Sequence, residues 1–413
     1  MRTVYTTAAI AAAIGCAAGA APAFAAKQTI VYSFTDSTDG GFPHGGVIAD
    51  KMGNLYGVTT SGGSGHNGVV FELAKPAKGQ TTWTQTTLYQ FTGGNDGGIP
   101  EAALMMDKKG RLYGTTYAGG ASGEGVVFKL EPPKSGETAW KEKVLWSFTG
   151  GNDGSEPSGA LTMDPAGNIY GTTTGGGTGV VGTVFELSRP TGSSQWAETV
   201  LYNFTGNNDG GEPFGNVLIG SDGNLYGTSA GYGQYNYGTI WSLTGGSGNW
   251  TFSTLHAFAG GSDGEVPRDG LIQGPDGTLY GTTAGFDDSY GNVFSLHTDG
   301  SAYTVLYTIT GGQGYTGNGP WQTVSMDANG VLYGTTYADG LSASGEVFSL
   351  TPPTGKQKIW PVKILQTFAP GANGEFPYCT PLVGKGFIYG TTYGYAGQAG
   401  FWPGTVWKIR IKN

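Results

Sequence analysis

The stretch Leu112-Tyr113-Gly114-Thr115-Thr116, followed by Gly119-Gly120 and Val127-Phe128, decides the reading of this chain because it recurs along its whole length. It returns as Leu55-Tyr56-Gly57, Ile169-Tyr170-Gly171, Leu225-Tyr226-Gly227, Leu279-Tyr280-Gly281, Leu332-Tyr333-Gly334 and Ile388-Tyr389-Gly390. The seven tyrosines stand 57, 57, 56, 54, 53 and 56 residues apart. Strand-rich, glycine-rich units at about this period are the signature of propeller blades. Such a unit cannot bury both sheet faces by itself, so copies must stack side by side.

Working outward from 112–116, residues 103–106 read as a short apolar strand and Asp107-Lys108-Lys109-Gly110 as a turn. A glycine loop at 119–125, a third strand at 126–130 and a fourth at 143–148 complete the unit. Residues 29–34 match the fourth strand and residues 404–409 the third. The expectation is therefore an all-β, seven-bladed β-propeller of four-stranded antiparallel blades, one domain over residues 27–413. Its N-terminal strand pairs with the last blade and removes the exposed edge. The Leu-Tyr-Gly tyrosines are expected to pack between blades with each hydroxyl finding a partner, and Phe71, Phe128, Phe185, Trp241, Phe294, Phe348 and Trp407 to be core.

Composition agrees. Glycine supplies 78 of 413 residues, and charged residues only 12% where about 25% is usual, yet 38% are hydrophobic and 13% aromatic. Disorder, collagen (glycine does not recur every third residue) and long helices are excluded on these figures. A net charge of −9 sets the chain against nucleic acid and anionic membrane as partners.

Arg2, the apolar run 8–21 and Pro22-Ala23-Phe24-Ala25 read as a secretory signal peptide over residues 1–26, which implies a secreted, extracellular or periplasmic protein. Ala13-Ile14-Gly15-Cys16 lacks the leucine of a lipoprotein box, so anchoring through Cys16 is not expected. No later segment is apolar enough to span a bilayer. With the signal removed, Cys379 is the remaining cysteine and reads as a small buried hydrophobe.

The recurrent Leu-Tyr-Gly-Thr-Thr…Gly-Gly…Val-Phe with Phe-Thr-Gly-Gly-Asn-Asp-Gly…Pro, as at 148–157 and 169–185, resembles the GloVer-type tandem repeat of secreted bacterial proteins over essentially the whole mature chain. The Trp83, Trp140, Trp196, Trp250 and Trp360 positions before the fourth strand are more loosely similar to kelch repeats. The resemblance implies an exported propeller and implies no particular activity.

Function must then reside where copies differ. The residue after the recurrent proline falls at the start of the innermost strand, beside the axis, and its occupants are His44, Glu101, Ser158, Phe214, Arg268, Trp321 and Tyr378. These form a candidate recognition funnel. The loops between second and third strands emerge on the same face. They add Tyr232, Tyr235, Tyr237, Phe286, Tyr290, Tyr337, Tyr393, Tyr395, Phe401 and Trp402, concentrated in blades 4 to 7, with Asp287, Asp288 and Asn236 beside them. Such aromatics suit pyranose rings, or else pack one another to hold the loops. The candidate ligand-binding residues are thus His44, Glu101, Phe214, Arg268, Trp321, Tyr378, Tyr235, Tyr395 and Trp402.

Two readings of function stay open. The first is a binding module for an extracellular glycan or a cell-surface protein, working as a monomer and without a cofactor. The second is a polysaccharide-active hydrolase or lyase, with Glu101 and Asp269 as paired carboxylates near the axis. No G-x-S-x-G, H-E-x-x-H, phosphate-loop or Cys-x-x-Cys motif occurs, and no catalytic or metal site is assigned. The repeated Asp-Gly turns (Asp39, Asp96, Asp153, Asp209, Asp263) read as turn chemistry, with a ring of calcium sites using Glu156 and Glu212 as the rival. His256 and His297 read as solvated edge residues. The set of His44, His66, Tyr378 and Cys379 is a thin echo of kelch-type copper-radical oxidases.

Overall fold

The computed structural model describes residues 28–246, 248–285, 291–309, 319–338, 344–369, 374–397 and 400–411. The signal segment with Cys16, the loop residues Phe286, Asp287, Asp288 and Tyr290, and the side chains of Tyr395 and Phe401 lie outside the described residues. Seven four-stranded antiparallel sheets form the blades. Among the described residues the single helical turn is Gly261–Asp263, and no helix is long and apolar enough to cross a membrane.

Blade 2 is typical. Its strands are Met105–Met106, Leu112–Thr116, Val126–Glu131 and Lys141–Ser147. The inner strand is shorter than the four residues expected, because only Met105 and Met106 find ladder partners before the chain turns into the axial loop. Blade 7 takes Leu382–Gly384, Phe387–Thr392 and Thr405–Arg410 from the C-terminal end of the chain and Gln28–Ser33 from the N-terminal end, in the register Gln28 to Ile409 through Ser33 to Thr405. The ring is closed by the expected pairing.

Each seam between blades holds one apolar cluster. Tyr56 of blade 1 sits with Leu104, Leu112 and Phe128 of blade 2, and the closing seam sets Val31, Phe34 and Val406 of blade 7 against Val47, Leu55, Phe71 and Trp83 of blade 1. The Leu-Tyr-Gly glycine is explained by close approach. A Cβ on Gly114 would stand 2.6 Å from Cζ of Phe128, whose ring lies across the second strand. The tyrosine hydroxyls find partners as expected: Tyr113, Tyr170, Tyr226 and Tyr333 each donate to the aspartate of the preceding turn, Asp107, Asp164, Asp222 and Asp327. The tryptophans before the outer strands lean on the tyrosine of the preceding blade, Trp140 on Tyr56 and Trp83 on Tyr389.

The first threonine of Leu-Tyr-Gly-Thr-Thr joins blade to blade. Thr172 donates to the Gly215 carbonyl at 2.8 Å, Thr228 to Asp269 at 2.7 Å and Thr335 to Cys379 at 2.8 Å, always in the next blade. Thr391 closes the circle on the Gly45 carbonyl of blade 1 at 3.1 Å. Blade 1 carries Val58 at this position and its seam relies on packing instead.

Candidate functional site

The site is built by two short turns at the blade mouths, the first of them described at the entries to blades 1 to 5. In the first, the Asp-Gly aspartate gathers donors from its own loop. Asp96 accepts from the Thr92 amide at 2.9 Å, the Thr92 hydroxyl and the Tyr89 hydroxyl at 3.0 Å. Asp39 and Asp209 repeat the pattern with Tyr32 and Tyr202. His256, on the outer strand of blade 4, takes the tyrosine's place at the turn into blade 5, its Nε2–H donating to Asp263 at 3.1 Å and its ring stacking on Tyr303 of blade 5 at 3.9 Å. It is therefore a seam residue, whereas His297 is exposed as expected. Gly97 follows with φ +94°, and a Cβ there would collide with Thr116.

The second turn is the residue before the proline. Phe42, Ile99, Glu156, Glu212, Val266 and Phe376 all hold φ between 53° and 57°, a conformation that costs a non-glycine residue about 1–3 kcal/mol. Each is held by two backbone bonds. The Ile99 amide donates to Asn67 of the preceding blade at 2.9 Å, while its carbonyl accepts from Tyr117 of its own blade at 3.0 Å; Val266 does the same with Tyr237 and Ala284. The roles of Glu156 and Glu212 in the chain path are thereby set by their backbone.

With the chain pinned there, the residue after the proline is delivered to the axis. Six of the seven candidates line one cavity of about 480 Å³ to which every blade contributes: His44, Glu101, Ser158, Phe214, Arg268 and Tyr378. Trp321 lines a neighbouring recess of about 440 Å³ that shares His44, Glu101 and Tyr378 and adds Tyr337 and Tyr393. The side chains touch in sequence around the ring. Arg268 lies 5.3 Å from the Phe214 centroid and 4.2 Å from that of Trp321, Trp321 packs on Tyr378 at 5.4 Å, and Tyr378 on His44 at 3.9 Å.

Burial shapes the charges. The Glu101 carboxyl is pushed up to about 7 by burial, with the Glu156 carboxylate adding to the shift. His44 is pushed down to about 4, chiefly by burial with Arg268 contributing, and is neutral at pH 7. Burial also raises the Tyr378 phenol, against the pull of Arg268. The Cys379 thiol is buried, is raised to about 11 and accepts the Thr391 amide, which makes it a protonated packing group rather than a thiolate.

Asp269, the second carboxylate foreseen at the axis, does line the cavity, and it reaches further than expected. It accepts from the Thr323 amide of blade 6 at 2.9 Å and the Thr380 hydroxyl of blade 7 at 3.2 Å. A further set escaped the sequence reading: Gly46, Ala103, Ala160, Asn216, Thr323 and Thr380, each three residues after a recurrent proline, also face the cavity. The signal was present, since strand alternation that turns the first residue inward turns the third inward as well. The loop aromatics divide. Tyr337 and Tyr393 join the recess, which opens over blades 6, 7, 1 and 2 rather than over blades 4 to 7. Tyr235 and Trp402 line neither cavity and are exposed, and Tyr395 pairs through its backbone with Trp402 in a small hairpin. Among the described residues no group of three or more His, Cys, Asp or Glu side chains is placed to hold a metal ion.

The Gloeobacter/Verrucomicrobia repeat profile matches residues 19–218 and again 215–413. The chain belongs to that family. No curated protein matches it. Among solved structures, the hydrazine synthase of Kuenenia stuttgartiensis is similar with a TM-score of 0.54 at 16% identity, over 86% of this chain and 94% of that one. A protein of unknown function from Dyadobacter fermentans gives 0.46 at 16% identity over 78% and 96%, and the endosialidase of phage phi92 gives 0.47 at 12% over 94% and 70%. At 16% identity the hydrazine synthase likeness is one of fold and goes no further.

Proposed function

We propose that this repeat protein is an exported carbohydrate-binding propeller whose ligand sits on the axis, between the cavity floor and the aromatic recess. The observation that carries the reading is the collection of the seven non-repeating residues at one place. Flat faces from Trp321, Tyr378, His44 and Phe214 stand beside hydrogen-bonding groups from Asp269, Asn216 and Arg268. Aromatic faces stack on the apolar side of a pyranose, and fixed polar groups orient its hydroxyls. His44 is neutral at pH 7 and Arg268 stands in the same cavity as the carboxyls of Glu101 and Asp269, a lining without one dominant sign that suits neutral sugars better than strongly ionic ligands.

A glycan array probed with the mature chain, followed by calorimetry on the sugars that bind, tests this. Trp321→Ala is expected to weaken binding about tenfold or more, a loss of about 1.4 kcal/mol or more. Unchanged affinity in Trp321→Ala places the ligand elsewhere. One observation favours a second reading. Glu101, a carboxyl raised to about 7, lines the same cavity as Asp269, which accepts three hydrogen bonds, and an acid with a second carboxylate is the combination that glycoside cleavage uses. Turnover of a polysaccharide that vanishes in Glu101→Gln supports it, and binding without turnover rejects it.

A further inference from the structure

Charge is divided between the two faces of the ring. Antiparallel strands put the axial loops on one face and the first-to-second turns and third-to-fourth crossings on the other, the base. With each face are counted the strand halves that lead to it. Among the described residues the axial face carries fourteen Asp and Glu and one Lys or Arg, Arg268. The base of blades 6, 7, 1 and 2 carries sixteen Lys and Arg against seven Asp and Glu, a formal surplus of nine positive charges. The base of blades 3 to 5 holds Arg189 against six acids. The basic residues thus form a crescent on four adjacent blades, and the net charge of −9 describes neither face.

The crescent runs across the closing seam and is open to solvent. Lys408 of blade 7 holds its Nζ 5.6 Å from the Phe387 centroid and 5.9 Å from that of Trp83 in blade 1. The Lys75 side chain lies along the turn at Gly53, and Lys51, Lys108, Lys109, Lys356, Lys358 and Lys385 are exposed. Three of the acids are matched locally, Asp107 by Arg111, Glu131 by Lys129 and Glu137 by Lys141. Two large apolar side chains stand bare in the same crescent, Met52 at 73% and Ile359 at 80% exposure, each next in sequence to a lysine. Lysines with bare apolar tips match a surface that supplies negative charge and an apolar phase together, as a bilayer of anionic lipid does. An acidic polysaccharide supplies the charge alone.

We propose that the base of blades 6, 7, 1 and 2 is a docking surface for an anionic lipid bilayer, on which the propeller sits with its axial cavity facing away. This stands independently of the carbohydrate reading. The acids of the axial face do not cancel the attraction. Blade strands such as Leu112–Thr116 and Lys141–Ser147, of five and seven residues, hold the faces roughly 17–23 Å apart, more than two screening lengths at physiological salt. Those acids instead orient the molecule, since a face of fourteen carboxyls turns away from a negative surface.

The test is flotation of the mature chain with vesicles of phosphatidylcholine, alone or mixed with phosphatidylglycerol. Binding is expected to the anionic vesicles only, and to fall about tenfold or more between about 50 and 300 mM salt. Combining Lys356→Glu, Lys358→Glu and Lys385→Glu is expected to cost about 30-fold or more in affinity with the melting temperature unchanged, because all three side chains are exposed. Arginine at the same three positions should keep the affinity. Cys379 is buried, so a polarity-sensitive dye placed through Met52→Cys on the base or Tyr235→Cys on the axial face reports one face at a time. Anionic vesicles should shift the Met52→Cys signal to the blue and leave that of Tyr235→Cys unmoved. Equal binding to both kinds of vesicle, full affinity in the triple glutamate variant, or a shift at Tyr235→Cys overturns the proposal. So does a chain that ignores vesicles and binds alginate, which gives the crescent to an acidic polymer. Salt-sensitive self-association without vesicle binding overturns it as well, and gives the crescent to the acidic face of a second copy.

Discussion

The residues on either side of each recurrent proline lie two positions apart and obey opposite rules. Before the proline, Phe42, Ile99, Glu156, Glu212, Val266 and Phe376 differ in chemistry yet share one left-handed conformation and one pair of backbone bonds. After it, His44, Glu101, Ser158, Phe214, Arg268, Trp321 and Tyr378 differ in chemistry and use that difference, because they face one another around a cavity. The comparison teaches that the blade fixes geometry through its backbone and leaves side chains at the axis free to diverge. Scaffold positions should therefore answer to stability measurements and axial positions to binding measurements.

The largest effect tests that division directly. Tyr226 is buried at the seam between blades 4 and 5 among Leu271, Leu279 and Phe294, and its hydroxyl donates to Asp222 at 2.6 Å. Tyr226→Ala is expected to cost about 3–5 kcal/mol in chemical denaturation, the usual toll of emptying an aromatic core site. Trp321→Ala, at the partly open axis, is expected to cost about 1 kcal/mol while abolishing most sugar binding. Equal destabilisation in the two variants would erase the distinction.

Next in size is the aspartate of the Asp-Gly turn. Asp96→Ala leaves the Thr92 amide and the Tyr89 hydroxyl without their acceptor, at a cost of about 2 kcal/mol. Since these oxygens are taken up by the loop's own donors, chelation by EDTA should leave the melting temperature where it is. A fall of several degrees would restore the calcium reading.

Titration separates axis from edge more gently. Glu101 at the axis and Glu142 and Glu198 on outer strands are each raised to about 7, foremost by burial, with Glu156, Asp96 and Asp153 respectively adding to the shift. A carboxyl raised in the folded state binds its proton more tightly there than in the unfolded chain. It therefore favours folding in acid, and that contribution is lost as pH rises from about 4 to about 7. His44, lowered to about 4, acts in the opposite sense: its contribution is present above about 6.5 and is lost as pH falls towards 4. Three groups against one should make the melting temperature higher at pH 5 than at pH 8. The Glu101→Gln, Glu142→Gln and Glu198→Gln variants should each flatten the profile, and Glu101→Gln alone should also alter binding. A wild-type profile rising from pH 5 to 8 contradicts this.

The repeat made the blade legible in the sequence: the tyrosine spacing and the match between residues 29–34 and the other outer strands follow from side-chain pattern, and the structure pairs residues 28–33 with the last blade. The seven axial residues were legible too, because one position per repeat refused to be uniform. What stayed hidden depends on backbone or on reach across the ring. Nothing in Ile99 or Val266 announces a positive φ, since β-branched residues ordinarily avoid it. The span of Asp269 to Thr380, 111 residues away, exists only once the circle is closed.

The smallest effect is the most diagnostic of the first member of the comparison. Val266 holds φ at 54°, where its branched side chain is strained, and residues before proline are restricted further. Blade 6 places Gly319 at this position and makes the same pair of bonds without a left-handed φ, its amide bonding Ala284 of the preceding blade at 3.0 Å and its carbonyl accepting from Tyr337. Val266→Gly removes strain of about 1–3 kcal/mol and gives back about 1 kcal/mol through the looser unfolded chain and a further fraction through the lost valine methyls. The expected result is a variant as stable as the parent or more so by about 1 kcal/mol, whereas glycine at an ordinary strand position destabilises. Thr282→Gly, at a seam residue that bonds Gln322 at 3.0 Å, supplies that contrast in the same blade. If Val266→Gly lost as much stability as Thr282→Gly, the residue before the proline would owe its place to its side chain, and the division between backbone-fixed and side-chain-free positions would have to be redrawn.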